Sequence, residues 1–244
     1  MRVKEYIMDR MAKGALHMTL IDPASQPPER SGEIARIAED VGTDAIMVGG
    51  STGVTQENLD KTILAIKKKV SIPVIYFPSG AHAISPYADA IYFMSILNSR
   101  NVRNVIREQV VGAPIVKKLG LEPISMGYLI IEPGMKVGEV GDAELIQRND
   151  IESAVAYGLA TQYLGMDLVY LEAGSGAPEP VPLEMIAALK AQLSIPLVVG
   201  GGIRHHTTAS AVKKAGANIV VTGTVVENGE FRKSLEKIVK AVKT

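Results

Sequence analysis

The sequence predicts an α/β chain whose eight parallel strands close into a barrel. Three observations carry that expectation: β-branched runs that alternate with segments of helical period, an internal repeat at half the chain length, and glycine-rich turns after the last strands. The chain has 244 residues, and barrels of this class occupy roughly 250 residues as one domain. A single domain over residues 1–244 is therefore expected.

Strands are expected near Leu16–Ile21, Ala45–Val48, Val74–Phe77, Ala90–Phe93, Ile124–Ile131, Leu168–Leu171, Leu197–Val199 and Ile219–Val221. Helical period appears at Ser31–Val41, Gln56–Lys69, Val102–Val111, Asp150–Leu164, Leu183–Leu193, His206–Ala215 and Gly229–Val242. Within the first of these, Ile34, Ile37, Ala38 and Val41 recur three or four positions apart and form one buried stripe. Seven helices thus serve eight strands.

The repeat locates the missing helix. Val70-Ser71-Ile72-Pro73-Val74 matches Leu193-Ser194-Ile195-Pro196-Leu197, and Gly42-Thr43-Asp44 resembles Gly165-Met166-Asp167; Ile72 to Ile195 and Asp44 to Asp167 are both 123 positions apart. The next strands, at Asp89 and Asn218, are 129 apart, so the first half is six residues shorter between strands three and four. Pro78, Gly80, Pro86 and the absence of helical period make Pro78 to Asp89 an extended connection.

Composition narrows the function. Lys and Arg number 26, and so do Asp and Glu, which leaves no overall field for a polyanion; no nucleic-acid partner is expected. Without cysteine there is no disulfide, thiolate zinc site, iron–sulfur cluster or Cys nucleophile. Residues 1–13 mix charged with apolar side chains, and no run approaches the roughly 20 apolar residues that span a bilayer. A cytoplasmic protein with at most peripheral membrane contact is expected.

Function in such a barrel collects at the C-terminal ends of the strands. Gly200-Gly201-Gly202-Ile203-Arg204 after strand seven and Gly223-Thr224 after strand eight allow backbone N–H groups to surround a phosphate. Gly174-Ser175-Gly176 after strand six adds donors to the same anion. Glu172, at the end of that strand, reads either as a general base or as a structural carboxylate that accepts loop amides. Asp22, before Pro23, reads as a local cap or as a Mg²⁺ ligand, with Ser51 as a neighbouring oxygen. His17 is either a hydrogen-bonded interior residue or a ligand, and Arg204 either supports the phosphate or pairs with an acid. An isomerase, an aldolase and a transferase all fit these features.

Six motifs occur in order over almost the whole chain: His-x-Thr-Leu-Ile-Asp-Pro, Val-Gly-Gly-Ser, Tyr-Phe-Pro-Ser-Gly, Met-Ser-Ile-Leu-Asn-Ser, Tyr-Leu-Glu-Ala-Gly-Ser-Gly and Gly-Gly-Gly-Ile-Arg. With them the sequence closely resembles the geranylgeranylglyceryl phosphate synthase family, which includes the PcrB-like heptaprenylglyceryl phosphate synthases. The resemblance implies a modified TIM (β/α)8 barrel with its third helix replaced by an extended segment. It also implies a prenyltransferase that needs Mg²⁺ and joins geranylgeranyl diphosphate, or a longer donor, to the 3-hydroxyl of sn-glycerol 1-phosphate. Asp22 and Ser51 match the metal positions. Tyr170, Leu171, Glu172, Ala173, Gly174, Ser175, Gly176, Gly201, Gly202, Gly223 and Thr224 match the glycerol phosphate positions, with Glu172 as base.

A homo-oligomer, dimer or hexamer, follows from the same resemblance. The absent helix suggests an outer groove for the tail near Ile84, Tyr87, Tyr92, Met94 and Leu97. One departure is that many relatives carry Trp just before a Val-Gly-Asp-Ala run, whereas Glu139 precedes Val140-Gly141-Asp142-Ala143 here and the chain has no Trp. The competing readings are a phosphosugar isomerase and a non-catalytic phosphate-binding barrel.

Overall fold

The computed structural model describes residues 2–227 and 231–244. Its centre is a closed barrel of eight parallel strands: β1 (Leu16–Ile21), β2 (Ala45–Val48), β3 (Val74–Tyr76), β4 (Ala90–Ile96), β5 (Glu122–Ile130), β6 (Leu168–Glu172), β7 (Leu197–Gly200) and β8 (Ile219–Thr222). Each strand pairs with the next, and β8 returns to β1 with Leu16 opposite Ile219. All eight expected strands are present.

The helices are α1 (Val3–Met11), α2 (Pro28–Asp40), α3 (Gln56–Lys67), α4 (Glu108–Leu119), α5 (Met135–Val140), α6 (Ile151–Tyr163), α7 (Leu183–Gln192), α8 (His206–Lys214) and α9 (Arg232–Lys243). No helix lies between β3 and β4, where the shortened repeat placed the extended connection. Local chemistry sets several starts. Thr55 accepts the Asn58 N–H at α3 while Asn58 accepts the Thr55 N–H, and Asp150 accepts the Ser153 N–H at α6.

Three segments differ from expectation. α1 was not anticipated; it buries Val3 and Ile7, four residues apart, against the lower end of the barrel. α5 has six residues between Gly134 and Gly141, too short and too glycine-rich to show a period. The helix expected at Val102–Val111 opens with a π-helical turn at Arg103–Arg107 and runs on through Pro114 to Leu119. Pro114 is exposed, so the carbonyl it leaves without an amide partner can be hydrated. Gly229, the expected start of the last helix, lies outside the described residues.

The core has two layers. Inside the strands sit Met18, Met47, Tyr92, Met126, Tyr128 and Tyr170; between strands and helices sit residues such as Ile34, Ile63, Leu189 and Leu235. Strands covered on both faces need continuous apolar runs, which is why they read without alternation.

At the N-terminal rim one arrangement recurs four times. Asp44, Asp89, Asp167 and Asn218 each stand just before an even-numbered strand and accept a backbone N–H from the N-terminal half of the preceding odd-numbered strand: His17 at 3.0 Å, Val74 at 2.9 Å, Ser125 at 2.9 Å and Leu197 at 3.0 Å. Each in turn returns its own N–H to the carbonyl of that same residue, at 2.8 to 3.0 Å. A lysine attends every corner: Lys243 at Asp44, Lys67 at Asp89, Lys4 at Asp167 and Lys190 at Asn218. The 123-residue repeat is thus the linear trace of a quarter-barrel clamp. His17, next to the first corner, is fully buried between the Thr43 and Thr222 hydroxyls at 2.7 and 3.0 Å. Burial, with Lys243 adding to it, pushes its imidazole down to about 3, so it is a neutral interior residue.

Candidate active site

The opposite rim is built from close backbone approaches. Glu172 ends β6, opposite Ile130 on β5 and Gly200 on β7, and its side chain is buried at the top of the barrel interior. Oε1 accepts the Gly174 N–H at 2.7 Å, and Oε2 accepts the Tyr128 hydroxyl at 3.1 Å. Burial raises the carboxyl above the usual carboxylate range; the hydrogen bonds from Gly174, Tyr128 and Tyr170 offset only part of that rise. An acid with an elevated proton affinity and no cation bonded to it has the character of a general base.

Beside Glu172 is a cavity of about 380 Å³ walled by Tyr170, Ser175, Gly201, Gly202, Gly223 and Thr224, with Arg204 at its edge. Gly201 and Gly202 have φ of +83° and +69°, backbone that a residue with a Cβ adopts at a cost. A Cβ on Gly201 would also lie 2.5 Å from Glu172 Oε1 and 2.6 Å from the Gly174 nitrogen. The turn after β7 can therefore press against the turn after β6 only as glycine. Ser175 Oγ and Thr224 Oγ1 are 3.3 Å apart across the cavity. Arg204 donates to the Gly176 carbonyl at 2.6 Å, bracing the β6 turn, and makes no ion pair among the described residues. Leu171 and Ala173 pack outward into the layer between strands and helices and do not wall this cavity.

Across Glu172 lies a second cavity of about 660 Å³, bounded by Gly50, Ser51, Phe77, Ser79, Tyr128 and Val137, among others. Asp22, just after β1, accepts the Ala24 N–H through Oδ1 at 2.8 Å and lies against Gly50, where a Cβ would be 2.6 Å from its Cγ. Oδ2 is engaged by no described donor. Ser51 lines this cavity; Asp22 does not, but it lies against Gly50, which does, so the two offer hard oxygens near Gly50. Among the described residues no group of three or more His, Cys, Asp or Glu converges, so an ion held by Asp22 and Ser51 would take its remaining ligands from water and phosphate oxygens. That donor set suits Mg²⁺, which retains waters and needs one or two carboxylates.

A third cavity, of about 510 Å³, opens where the barrel lacks a helix between β3 and β4. It shares Pro78, Ser79, Met94, Ile96 and Asn104 with the second, so the two adjoin. Ile84, Tyr92 and Met94 wall it as expected, whereas Tyr87 and Leu97 do not. Sequence reading did not anticipate Tyr128, Phe77 or α5 at the site; Tyr128 and Glu172 are 44 positions apart, and no local pattern joins them.

Comparison with known proteins agrees with this geometry. The PcrB family profile matches residues 8–243. The chain belongs to the PcrB family. Curated relatives include the geranylgeranylglyceryl phosphate synthases of Methanococcoides burtonii, 53% identical with 100% of both chains covered, and of Thermococcus kodakarensis, 54% identical over 97% of this chain and 94% of the other. The crystal structure of the Thermoplasma acidophilum (S)-3-O-geranylgeranylglyceryl phosphate synthase, in complex with its substrate sn-glycerol-1-phosphate, superposes on this PcrB-family barrel with a TM-score of 0.97. It is 46% identical, with 100% of this chain and 99% of that one covered. A thiamine phosphate pyrophosphorylase from Pyrococcus furiosus, at 16% identity and a TM-score of 0.62, shares the fold alone.

Proposed function

We infer that this PcrB-family chain is a prenyltransferase that joins the geranylgeranyl group of its diphosphate to the 3-hydroxyl of sn-glycerol 1-phosphate. The product carries the first ether bond of archaeal-type phospholipids, and diphosphate is released. One observation carries the reading: a single carboxylate, Glu172, forms part of the wall of both a glycine-lined anion cavity and a cavity that adjoins an apolar groove. That layout suits an acceptor with a phosphate and a donor with a long tail, meeting at a base. The full-length similarity to curated synthases supports the same assignment.

The chain's own groups account for the chemistry in order. Amides and hydroxyls around Gly201, Gly202, Gly223, Thr224 and Ser175 hold the phosphate and leave the glycerol alcohol facing Glu172. Glu172 takes the hydroxyl proton as the new C–O bond forms, while the bond from the allylic carbon to the diphosphate oxygen breaks and the electron pair leaves with diphosphate. Met94, Ile96 and the wall of the open groove hold the tail, at roughly 0.8 kcal/mol for each CH₂ removed from water. Asp22 and Ser51 would hold Mg²⁺, whose contribution is neutralisation of the charge that gathers on the diphosphate.

Assembly as a dimer or hexamer belongs to the same reading, supported by the exposed apolar side chains Ile106, Val110 and Val111 on the outer surface. No described helix is long and apolar enough to cross a membrane.

Incubation with Mg²⁺, sn-glycerol 1-phosphate and labelled C20 or C35 diphosphates, followed by lipid extraction, tests the assignment. Labelled product from the C20 donor is expected; preference for C35 would move the chain to the heptaprenyl activity. No product from either donor, with glycerol phosphate still bound, would leave a binding barrel.

A further inference from the structure

Glu172 is held in an unusual way for a buried acid. Every group bonded to it is neutral: the Gly174 N–H on Oε1 and the Tyr128 hydroxyl on Oε2, with the Tyr170 phenol also against it. Among the described residues, Arg204 is the one cationic side chain on the wall of the phosphate cavity, and its guanidinium is turned to the Gly176 carbonyl. Among the described residues, the wall of the larger cavity carries no Lys, Arg or His. Orientation of this carboxylate is therefore set by two phenols and an amide, whose hydrogen bonds also offset part of the rise in proton affinity that burial causes.

The two phenols are not equivalent. Tyr128 and Tyr170 form a cross-strand pair on β5 and β6, with ring centroids 5.1 Å apart. Tyr170 faces the phosphate cavity, whereas Tyr128 faces the cavity that adjoins the apolar groove. The Tyr128 ring is fixed by edge contact with Phe77 at 5.5 Å, and the residue is buried. Its hydroxyl thus reaches Glu172 from the donor side, on a ring packed between Phe77 and Tyr170. Burial and the adjacent carboxylate both raise the Tyr128 phenol well above its ordinary value, so it stays protonated and remains a donor at any working pH.

We propose that Tyr128 is the positioning residue of the base: its hydroxyl anchors Oε2 of Glu172 so that the carboxylate meets the acceptor alcohol at the junction of the two cavities. This rests on the reading of Glu172 as base. Tyr128 itself takes no proton. A hydrogen bond donated to a carboxylate favours its ionised form, so Tyr128 also keeps Glu172 available as a base at lower pH than burial alone would permit. The groups that face Glu172 are Tyr128 from β5, Tyr170 from β6, Gly174 from the β6 turn and Gly201 from the β7 turn, and Tyr128 and Tyr170 are its only titratable neighbours among them.

The test compares Tyr128→Phe, Tyr170→Phe and Glu172→Gln by pH–rate profile and by calorimetric binding of glycerol phosphate. Tyr128→Phe keeps the ring and removes one hydroxyl. It is expected to lower kcat about tenfold and to move the acid limb of kcat/KM up by roughly one pH unit, with glycerol phosphate affinity within about twofold of wild type. Fluorotyrosine at position 128, a stronger donor, should move the limb the other way. An unmoved limb in both variants, with Glu172→Gln inactive, overturns the positioning role and leaves the base intact. An active Glu172→Gln overturns the base itself. A limb that moves in Tyr170→Phe and not in Tyr128→Phe assigns the anchor to the other phenol and refutes this proposal.

Discussion

The two rims of this barrel use opposite chemistry at equivalent strand ends. At the N-terminal rim, acids and an asparagine close on strand amides and are attended by lysines: Asp44, Asp89, Asp167 and Asn218 satisfy backbone groups that would otherwise be orphaned. At the C-terminal rim, glycines at 201, 202 and 223 line an open space, while Gly174 and Gly176 beside it are tied to Glu172 and Arg204. One carboxylate there, Glu172, is buried with no cation bonded to it. Saturation of hydrogen bonds gives rigidity, and their withholding gives a binding surface; the same sheet supports both because its two ends are independent.

Glu172→Gln should break the comparison most visibly. Turnover is expected to fall about 10²- to 10⁴-fold, the range for loss of a general base. Stability should move the other way. Because the folded-state pKa of Glu172 is raised, the folded state binds more protons than the unfolded state above the ordinary value, and ionisation there costs stability as pH rises. Gln removes that cost, so thermal denaturation at pH 7 should show a Tm above wild type. A lower Tm with retained turnover would mean that Glu172 is part of the scaffold.

Gly201→Ala should produce the next effect. The added Cβ would meet Glu172 Oε1 and the Gly174 nitrogen at 2.5 and 2.6 Å with φ at +83°, so the two turns must part. Glycerol phosphate affinity should fall by about tenfold or more, at the 1–3 kcal/mol typical of such strain. Titration calorimetry checks it, and affinity near wild type would place the anion elsewhere.

On the opposite rim, Asp44→Ala leaves the His17 N–H without its side-chain acceptor and separates Arg10, at 2.8 Å, and Lys243, at 2.9 Å, from their partner. A loss of about 2–4 kcal/mol is expected, or roughly 5–15 °C in Tm for a chain of this size. kcat and KM should not change. Asp44→Asn should cost less than half as much, since Asn218 holds the same corner without a charge.

How much of this the sequence exposes differs between the rims. Strand positions and the missing helix were legible because strands covered on both faces leave unbroken apolar runs, and the half-length repeat put a number on the gap. The phosphate turns were legible because glycine runs at strand ends have few other uses. Asp44 and Asp167 were visible as a repeat, but their bonds to His17 and Ser125 reach 27 and 42 positions back along the chain. Tyr128 was not legible at all, since an interior tyrosine on β5 looks like core until β6 brings Glu172 beside it. α1 was missed because its stripe is only Val3 and Ile7, and α5 because a six-residue helix shows no period.

The finest division within the clamp separates its lysines from its acids. Lys4, about half exposed, is paired with Asp167, whose carboxylate is less exposed and also accepts the Ser125 N–H. An exposed ammonium contributes about 0.5 kcal/mol or less, so Lys4→Ala should lower Tm by no more than roughly 2 °C, less in high salt. Asp167→Ala should cost several times more, because the strand amide loses its acceptor. Burial pushes the Asp167 carboxyl up, and the Lys4 and Ser125 bonds outweigh it, so its pKa lies below the ordinary 3.8. Its contribution is thus complete above pH 4 and lost as pH falls through the folded-state value. Urea midpoints measured from pH 6 to pH 3 should drop less in Asp167→Ala than in wild type, with Lys4→Ala between them. If Lys4→Ala instead matched Asp167→Ala, the lysines would be structural members of the clamp and the fourfold pattern would rest on charge rather than on capped strand amides.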